Sequence, residues 1–286
     1  MSEFYEVVER PDLESPVLLV HLEGWIDAGL AAQQALHVIE AQAELFTVAT
    51  FDADALLDHR ARRPMMHLVD GQYADLIWPG IEMRAATDQA GTEFLILSGM
   101  EPDHRWQAFA ASVVDLALEF GTRMVVGLGA YPAPVPHTRA SGLATTATSR
   151  ELADAIGYLG GSVIVPAGVQ AAIETRAATA GLPSLGLWAQ VPHYAATMPY
   201  PPAAMKLVQG VVQLTGLALD ASVLADDADS TVERLNELVA SNPEHQQMIS
   251  QLEQQVDALG ESNAPTLPSG DELAEELQRY LREQGD

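Results

Sequence analysis

Short apolar runs alternate with longer amphipathic stretches along the first 225 residues of the chain. The apolar runs are bounded by glycine, proline or polar residues and have the length of buried strands. They lie at residues 17–22, 46–51, 94–97, 124–128 and 185–191. Runs of this kind predict strands covered on both faces, as in a largely parallel sheet.

Between these runs, apolar residues recur at helical spacing. Phe109, Val113 and Leu116, for example, share one face of a single stretch. The stretches predicted to be helical are residues 28–43, 103–120, 150–159, 169–180 and 201–219. Strands that alternate with helices of this length predict an α/β fold with helices on both faces of the sheet.

Residues 64–87 predict two or three shorter strands instead of a helix. Asp70-Gly71 lies between residues 65–69 and 73–78 and is a hairpin-turn signal. We expect this hairpin to add antiparallel strands, so that the sheet is mixed.

The composition changes after residue 225. Residues 226–286 contain 15 acidic residues and 3 arginines, a net charge of −12. We therefore predict an α/β domain over residues 1–225 and an acidic helical extension over residues 226–286. Ser230 with Glu233 has the spacing of a capping box, and Asn242-Pro243 is expected to end one helix and begin the next.

Two apolar stripes interrupt this acidic extension. Ile249, Leu252, Val256 and Leu259 recur at 3-4-3 spacing, and residues 273–281 place leucines and a tyrosine on one face. We interpret both segments as helical arms that dock on the main domain or on a neighbouring subunit. The pattern predicts a homo-oligomer.

Charge and composition limit the classes of partner and compartment. The net charge is −26, with Lys206 the single lysine. Such a chain repels phosphate backbones and anionic head groups, so we expect neither nucleic acid nor membrane partners; a proteome-wide bias toward acidic residues also explains the charge. The chain has no cysteine, no signal-peptide pattern and no apolar run of transmembrane length, which predicts a cytoplasmic protein.

The usual catalytic and cofactor motifs are missing from the sequence. There is no Gly-x-Ser-x-Gly, P-loop or His-Glu-x-x-His pattern. Gly127-Leu-Gly129 follows a predicted strand but leads into prolines, so it cannot present a helix N-terminus to a pyrophosphate. The eight histidines are scattered, without the i, i+3 or i, i+4 spacing of a helical metal site. We expect no metal and no cofactor.

Polar residues follow several predicted strands within a few positions. We expect the strand at residues 124–128 to end in a tight turn containing Gly127, Gly129 and three prolines. If the strands are parallel neighbours, the polar residues converge on one rim of the sheet. Such a rim could bind a small anion or a carboxylate-bearing chain end, or shuttle protons. The candidate binding residues are Asp27, Glu101, His104, His137, Arg139 and His193.

A structural role is the alternative for the same residues. Asp27 and Asp103 each precede a predicted helix and fit the role of N-cap, while His137 and His193 could bond to turn backbone. Arg60, Arg62 and Arg63 form a local basic patch, which could bind an anion or an acidic partner, including the protein's own tail. Solvated loop charge is the alternative for these arginines.

Five linked motifs resemble the PAC2, or proteasome-assembly-chaperone-2-like, family in its actinobacterial branch. The resemblance covers roughly residues 3–225 and implies a three-layer α/β/α domain like those of nucleoside phosphorylases and peptidyl hydrolases. It also implies oligomers, with a trimer favoured, and relatives that guide assembly of proteasome subunits. The motifs are Gly24-Trp-Ile-Asp-Ala-Gly29, Phe51-Asp-Ala-Asp54 with Arg62-Arg-Pro64, Ser98-Gly-Met-Glu-Pro102, Gly127-Leu-Gly-Ala-Tyr-Pro-Ala-Pro-Val-Pro-His137 and Gly186-Leu-Trp-Ala-Gln-Val-Pro-His193.

The chain departs from this family pattern at its end. Chaperone relatives that dock on the proteasome often end in a hydrophobic–tyrosine–any tripeptide, whereas this chain ends Gln284-Gly-Asp286. The missing catalytic motifs and the resemblance together favour a non-catalytic, protein-binding or assembly-chaperone-like role. The alternative is a phosphorylase- or hydrolase-like enzyme that acts on a small anionic or peptide substrate at the rim.

Overall fold

The computed structural model describes residues 4–24, 26–149, 152, 153, 158, 162 and 164–261. Over these residues the chain has an α/β fold with a mixed sheet and a helical C-terminal region, as the sequence predicted. The helix expected at residues 150–159 and the last helix, within residues 269–281, lie largely or wholly outside the described residues.

Ten strands are described. They are β1 (Tyr5–Val7), β2 (Val17–Glu23), β3 (Glu44–Phe51), β4 (Met65–Val69), β5 (Gln72–Ile77), β6 (Ile81–Thr87), β7 (Glu93–Met100), β8 (Met124–Ala133), β9 (Leu143–Ala147) and β10 (Ser184–Pro192). Eight of them form a sheet with the order β1-β3-β6-β7-β2-β8-β10-β9, and β4 and β5 form a separate two-stranded sheet. The sequence pattern missed β1 and β9, which are short.

The described helices include seven α-helices. They are α1 (Ala31–Ala41), α2 (Ala53–Leu56), α3 (Trp106–Glu119), α4 (Val169–Thr179), α5 (Pro201–Thr215), α6 (Ala225–Ala240) and α7 (Pro243–Glu261). Short 3-10 turns at Ala28–Leu30, His193–Ala195 and Ala221–Leu224 precede or join them.

The chain divides into two compact units, each made of three segments. The first contains Met1–Trp25, Ala43–Gly127 and Ala167–Ser184, and the second contains Ile26–Gln42, Leu128–Pro166 and Leu185–Asp286. Strand β8 begins in the first unit and ends in the second. The division at residue 225 that the charge break indicates stays a prediction.

The first unit holds both parallel and antiparallel strand pairs. Strand β2 is parallel to β7 and to β8, whereas β6 is antiparallel to β3 and β7, and β1 is antiparallel to β3. Its core packs Leu18 and Leu95 of the sheet with Phe109 of α3 and Ile173 of α4, all of them fully buried. The apolar runs are buried because the side chains on this face of the sheet meet the apolar faces of two helices.

The second unit contains most of the helices. Its strands β9 and β10 are antiparallel, α1 packs on α5, and α6 packs on α5 and α7. Helix α5 begins with Pro201, whose missing N–H costs nothing at a helix start. It ends at Thr215 and not at the expected residue 219, because Gly216 adopts a left-handed conformation (φ 79°) and its N–H caps the carbonyl of Val212.

Two expected details of helix initiation differ from the structure. The stretch from residue 28 opens with a 3-10 turn because Gly29 and Leu30 have positive φ values of 64° and 49°, so α1 starts only at Ala31. The capping box at Ser230 and Glu233 is wrong, since both residues lie inside α6, which already starts at Ala225. The cap at Asn242 is confirmed, because its Oδ1 accepts a hydrogen bond of 2.9 Å from the amide of Glu244.

The hairpin at Asp70-Gly71 is confirmed, but it does not contribute strands to the main sheet. Asp70 and Gly71 have φ values of 49° and 78°, as a type I′ turn requires. The next strand along the chain, β6, is already paired with β3 on one edge and β7 on the other. No edge of β6 is left for the hairpin, and the antiparallel pairs of the mixed sheet are instead β1–β3, β3–β6, β6–β7 and β9–β10.

Candidate functional site

The six candidate binding residues are divided between the two units. Glu101 and His104 belong to the first unit, and the second unit contains the others: Asp27, His137, Arg139 and His193. Their convergence on one concavity stays a prediction. The surroundings of each side chain show what it does within its own unit.

Glu101 anchors the start of α4. Its carboxylate Oε1 accepts a hydrogen bond of 2.6 Å from the amide of Val169, the first residue of that helix. The side chain is buried, and this burial raises the pKa of Glu101, against the opposing effects of the Val169 hydrogen bond and the nearby Arg62. A buried carboxylate that satisfies a free amide at a helix start has a clear structural role.

His104 and Asp103 precede α3, but neither caps it. His104 is exposed, and its backbone amide donates to the carbonyl of Leu56 at 3.1 Å. The expected N-cap role of Asp103 is wrong, because the N-cap position is Arg105, with φ 59°. Asp103 instead accepts a 2.8 Å hydrogen bond from the amide of Asp58 and pairs with Arg62, so this loop is tied to the basic patch.

Asp27 does not cap the turn at Ala28, and the N-cap position of α1 is Leu30, but its carboxylate bonds to free amides at the start of α1. Its two carboxylate oxygens accept hydrogen bonds from the amides of Ala32 at 2.8 Å and Gln33 at 2.9 Å. These amides belong to the first turn of α1, where a negative charge is favoured. The backbone of Asp27 also forms an isolated parallel bridge with Ala130 of β8.

His137 is the most enclosed of the candidates and takes part in a polar network. The hydroxyl of Tyr194 accepts a hydrogen bond of 2.8 Å from the backbone amide of His137 and lies 2.7 Å from its Nδ1. Nε2 lies 3.1 Å from Oδ1 of Asn236, on α6. The Asn236 oxygen needs a donor, so Nε2 carries the proton and Nδ1 accepts the hydroxyl hydrogen of Tyr194. Each polar atom of the imidazole is satisfied in its neutral form.

This environment has a consequence for stability against pH. Burial lowers the pKa of His137 below its ordinary value of 6.5, although Asn236 and the charge of Glu253 oppose the shift. As the pH falls below 6.5 the unfolded chain takes up a proton before the folded chain does. His137 therefore contributes stability that is fully present above pH 6.5 and is lost as the pH falls through the lowered pKa.

We expect the melting temperature of the wild-type protein to fall between pH 7.5 and 5.5 more steeply than that of a His137→Asn variant. The variant should melt lower at pH 7.5, because it loses part of the network, and the two curves should approach each other in acid. Thermal unfolding followed by circular dichroism at several pH values measures this. His245→Asn, at an exposed position of α7, is the matched control. Parallel slopes for His137→Asn and the wild type would contradict the assignment.

Arg139 is bound by carboxylates of α7. Its Nε and Nη2 donate to the two oxygens of Asp257 at 2.8 and 2.7 Å, and its Nη1 donates to Glu253 at 3.1 Å. The hydroxyl of the preceding residue, Thr138, donates to the same oxygen of Glu253 at 2.5 Å. The guanidinium expected to bind an anion therefore has carboxylate partners within its own chain.

His193 and His137 both contact the side chain of Tyr194. The rings of both histidines contact the Tyr194 ring in edge-to-face geometry, with centroids 5.8 Å away for His137 and 5.3 Å for His193. The second unit thus brings His137 and His193 to one place. The sequence pattern missed Asn236, Glu253 and Asp257, which no local motif marks.

The expected tight turn at Gly127 and Gly129 is wrong, because β8 continues through both glycines to Ala133. A Cβ atom on Gly127 would lie 2.0 Å from the Gln170 side chain, and one on Gly129 would lie 2.3 Å from the Trp188 ring. The glycines are therefore needed for close packing against the strand, and not for a turn. The proline-rich segment that presents His137 and Arg139 begins only after the strand ends.

Two further findings concern chemistry and membranes. Within the described ranges, no group of three or more histidine, aspartate or glutamate side chains is arranged to hold a metal ion. Among the helices of the same ranges, none is both long and apolar enough to cross a membrane. The polar groups around His137 and Arg139 bond to other side chains of the second unit.

Comparison with known proteins places the chain among proteins of similar length and fold. A Mycobacterium tuberculosis protein of unknown function is 32% identical, with a TM-score of 0.85 and coverage of 100% of this chain and 98% of that one. A Corynebacterium glutamicum protein of unknown function is 30% identical, with a TM-score of 0.84 and coverage of 91% and 99%. A Mycobacterium tuberculosis proteasome-assembly chaperone homologue is 26% identical, with a TM-score of 0.76 and coverage of 82% and 99%.

No curated protein matches the sequence. The family model of the PAC2 family matches residues 21–239, which include the candidate residues described above. That match covers more than half of the chain and agrees with the likeness to solved structures along nearly its whole length. The chain belongs to the PAC2 family.

Proposed function

We propose that this protein is a non-catalytic, protein-binding member of the PAC2 family that works as a homo-oligomer in an assembly-chaperone-like role. The relative described as a proteasome-assembly chaperone homologue supports the role. The observation that carries protein binding is the β4–β5 hairpin of the first unit, called here the apolar ribbon (residues 65–78).

The apolar ribbon exposes large apolar side chains along its length. Every residue of β4 and β5 is exposed, and Met65, Tyr73 and Ile77 keep 70%, 81% and 61% of their surface. Exposed apolar surface of this extent is typical of protein-interaction sites. Catalysis at the rim would not require such a surface.

The pairing of its strands places apolar groups on both faces. Met65 is paired with Ile77, and the adjacent pair is Met66 with Leu76. Adjacent pairs point to opposite faces of a ribbon, so each face carries large apolar side chains. A two-stranded hairpin without further cover is marginally stable in water, which favours a partner that packs on it. Its base is fixed by an edge-to-face contact between Trp78 and His59, with ring centroids 5.0 Å apart.

Charge favours a second copy of this chain as the occupant of the ribbon. Residues 60–78 contain three arginines and two aspartates, a net charge of +1, in a chain whose net charge is −26. Arg62 pairs with Asp103 of its own chain, and the strongly acidic remainder of another copy is complementary to Arg60 and Arg63 at the base of the ribbon. The tail stripe that suggested oligomerisation is less available, because Ile249 and Leu252 are buried within the chain.

We expect the wild-type protein to have a multiple of the chain mass of 30.6 kDa at micromolar concentration, with a trimer as the first expectation. The variant Met65→Ser/Tyr73→Ser/Ile77→Ser should have the mass of one chain, because it removes the apolar area that a second copy would bury. Light scattering after size-exclusion chromatography measures both masses.

A matched control tests whether the change in mass is specific to the ribbon or follows from the loss of any exposed apolar surface. The variant Val8→Ser/Val223→Ser/Leu238→Ser changes three exposed residues outside the ribbon and should keep the wild-type mass. A single-chain mass for the wild type, or an unchanged oligomer for the ribbon variant, would count against self-association through this surface.

The chaperone-like role is tested with the wild-type oligomer. Affinity capture from the cytosol of the source organism should recover a protein partner in fixed stoichiometry, and the purified partner should bind again in isolation. Turnover of nucleosides or peptides by the purified protein, with no such partner, would instead support the alternative of an enzyme.

A further inference from the structure

The segment that follows β8 presents two polar side chains to the acidic helix α7. Within this segment the amide of Arg139 donates to the carbonyl of Pro136 at 3.3 Å, which turns the chain and places Thr138 and Arg139 side by side. Both side chains bond to carboxylates that lie 114 to 118 positions further along the sequence, those of Glu253 and Asp257.

The geometry is that of a receptor for carboxylates. Nε and Nη2 of Arg139 meet both oxygens of Asp257, which is the bidentate arrangement that guanidinium and carboxylate prefer. The remaining Nη1 and the hydroxyl of Thr138 converge on one oxygen of Glu253. The hydrogen bond from Arg139 holds the pKa of Asp257 below its usual range, so this carboxylate is charged at neutral pH.

The arginine and the two carboxylates of this contact are all accessible to solvent. The side chains of Arg139, Glu253 and Asp257 keep 37%, 29% and 55% of their surface exposed. Ion pairs in such positions exchange readily with water and contribute little net stability. Their geometry is specific while their hold on the helix is weak.

Within the described residues, few other contacts keep helix α7 in place. It packs on α6, and among its described apolar side chains Ile249 and Leu252 are buried while Met248 and Val256 are half-buried. The rest of the helix is polar, and many of its side chains are exposed. A helix held by so few apolar contacts can leave its site at modest cost, since local stability follows the apolar area buried.

We propose that Thr138 and Arg139 form a carboxylate-binding site which α7 occupies with Glu253 and Asp257, and which takes an acidic segment of a partner protein when α7 leaves. The net charge of the whole chain, −26, opposes an acidic ligand, so binding depends on the local arrangement of the Arg139 guanidinium and the Thr138 hydroxyl. Because α7 is tethered beside the site, it competes at high effective concentration, and only a ligand with matching carboxylates displaces it.

The proposal rests on the proposed function for the nature of the partner, but its test does not. The probe is a fluorescent synthetic peptide with the sequence of residues 243–261, which carries both carboxylates at the correct spacing. Fluorescence anisotropy measures its binding to the full-length wild-type protein and to the full-length variant Glu253→Gln/Asp257→Asn, whose own α7 no longer offers the carboxylates.

We expect the double variant to bind the peptide at least tenfold more tightly than the wild type does. Addition of Arg139→Gln to the double variant should abolish the gain, and a peptide with Gln and Asn in place of Glu253 and Asp257 should not bind. The ribbon variant should bind the peptide as the wild type does, so failure of self-association and failure of this site are distinguishable. Equal binding to the double and triple variants, or no binding to the double variant, would overturn the proposal.

A second measurement uses the wild-type protein alone and does not depend on the folding of any variant. Excess peptide should speed amide hydrogen exchange in residues 243–258 as α7 is displaced, whereas the Gln and Asn control peptide should leave exchange unchanged. Unchanged exchange with the acidic peptide at millimolar concentration would contradict displacement of α7.

Discussion

Replacing Gly99 with alanine is expected to lower the free energy of unfolding by about 4 kcal/mol, which is in the range of the most damaging single substitutions. Gly99 lies in β7 with φ 124°, a conformation that side chains rarely adopt. A Cβ atom there would lie 2.1 Å from the carbonyl oxygen of Gly80 and 2.8 Å from Cα of Ile81. Both neighbours are backbone atoms at the start of the paired strand, so the clash is relieved only by breaking the pairing of β6 with β7.

Gly91→Ala is the matched control, since Gly91 also has a positive φ, 84°, but a Cβ atom added there would meet no atom within 4 Å. We expect a loss of about 1 kcal/mol there, from backbone strain alone. Urea unfolding followed by tryptophan fluorescence measures both variants. If Gly99→Ala lowered the free energy of unfolding no more than Gly91→Ala does, this result would contradict the close approach of β6 and β7 at Gly99.

Phe109→Ala is expected to cost about 4 kcal/mol, because it removes a large, fully buried side chain and leaves a cavity. The ring lies on α3 in the core of the first unit and meets Phe51 of β3 edge to face, with centroids 5.0 Å apart. The cavity would lie between α3 and the sheet that it covers.

Leu118→Ala on the same helix is the control for Phe109→Ala. Leu118 keeps 46% of its surface exposed, so its truncation should change the free energy of unfolding by less than about 1 kcal/mol. The same urea titration serves for both variants. Similar losses for the two would mean that α3 does not pack with Phe109 toward the core.

The two surfaces proposed for protein contacts belong to different units and are tested by different readouts. The apolar ribbon lies in the first unit and is tested by the mass of the assembly. The carboxylate-binding site at Thr138 and Arg139 lies in the second unit and is tested by peptide binding. A variant at one surface is thus a control for the other.

Some features of this protein are encoded locally and were predictable from the sequence. The buried strands were visible as apolar runs, because a strand covered on both faces needs apolar residues at successive positions. The turn at Asp70-Gly71, the cap at Asn242 and the bonding of Asp27 to the next helix were predictable, because each depends on hydrogen bonds or dihedral angles within a few residues.

Features that depend on distant residues were decided only by the tertiary structure. In the sequence, the glycines of β8 have the pattern of a turn. The tertiary structure shows that they lie in a strand, with Gln170 and Trp188 packed against them. The hairpin stays outside the main sheet because both edges of β6 are occupied, which spacing along the chain cannot reveal.

The candidate site also has features that the sequence predicts and features that only the tertiary structure decides. The sequence determined which residues follow the strands, and so it named His137 and Arg139. It could not show that Asn236 and Asp257, 99 and 118 positions away, would bond to them. Hydrogen-bond partners that distant are set by how α6 and α7 pack in the second unit, which no local pattern records.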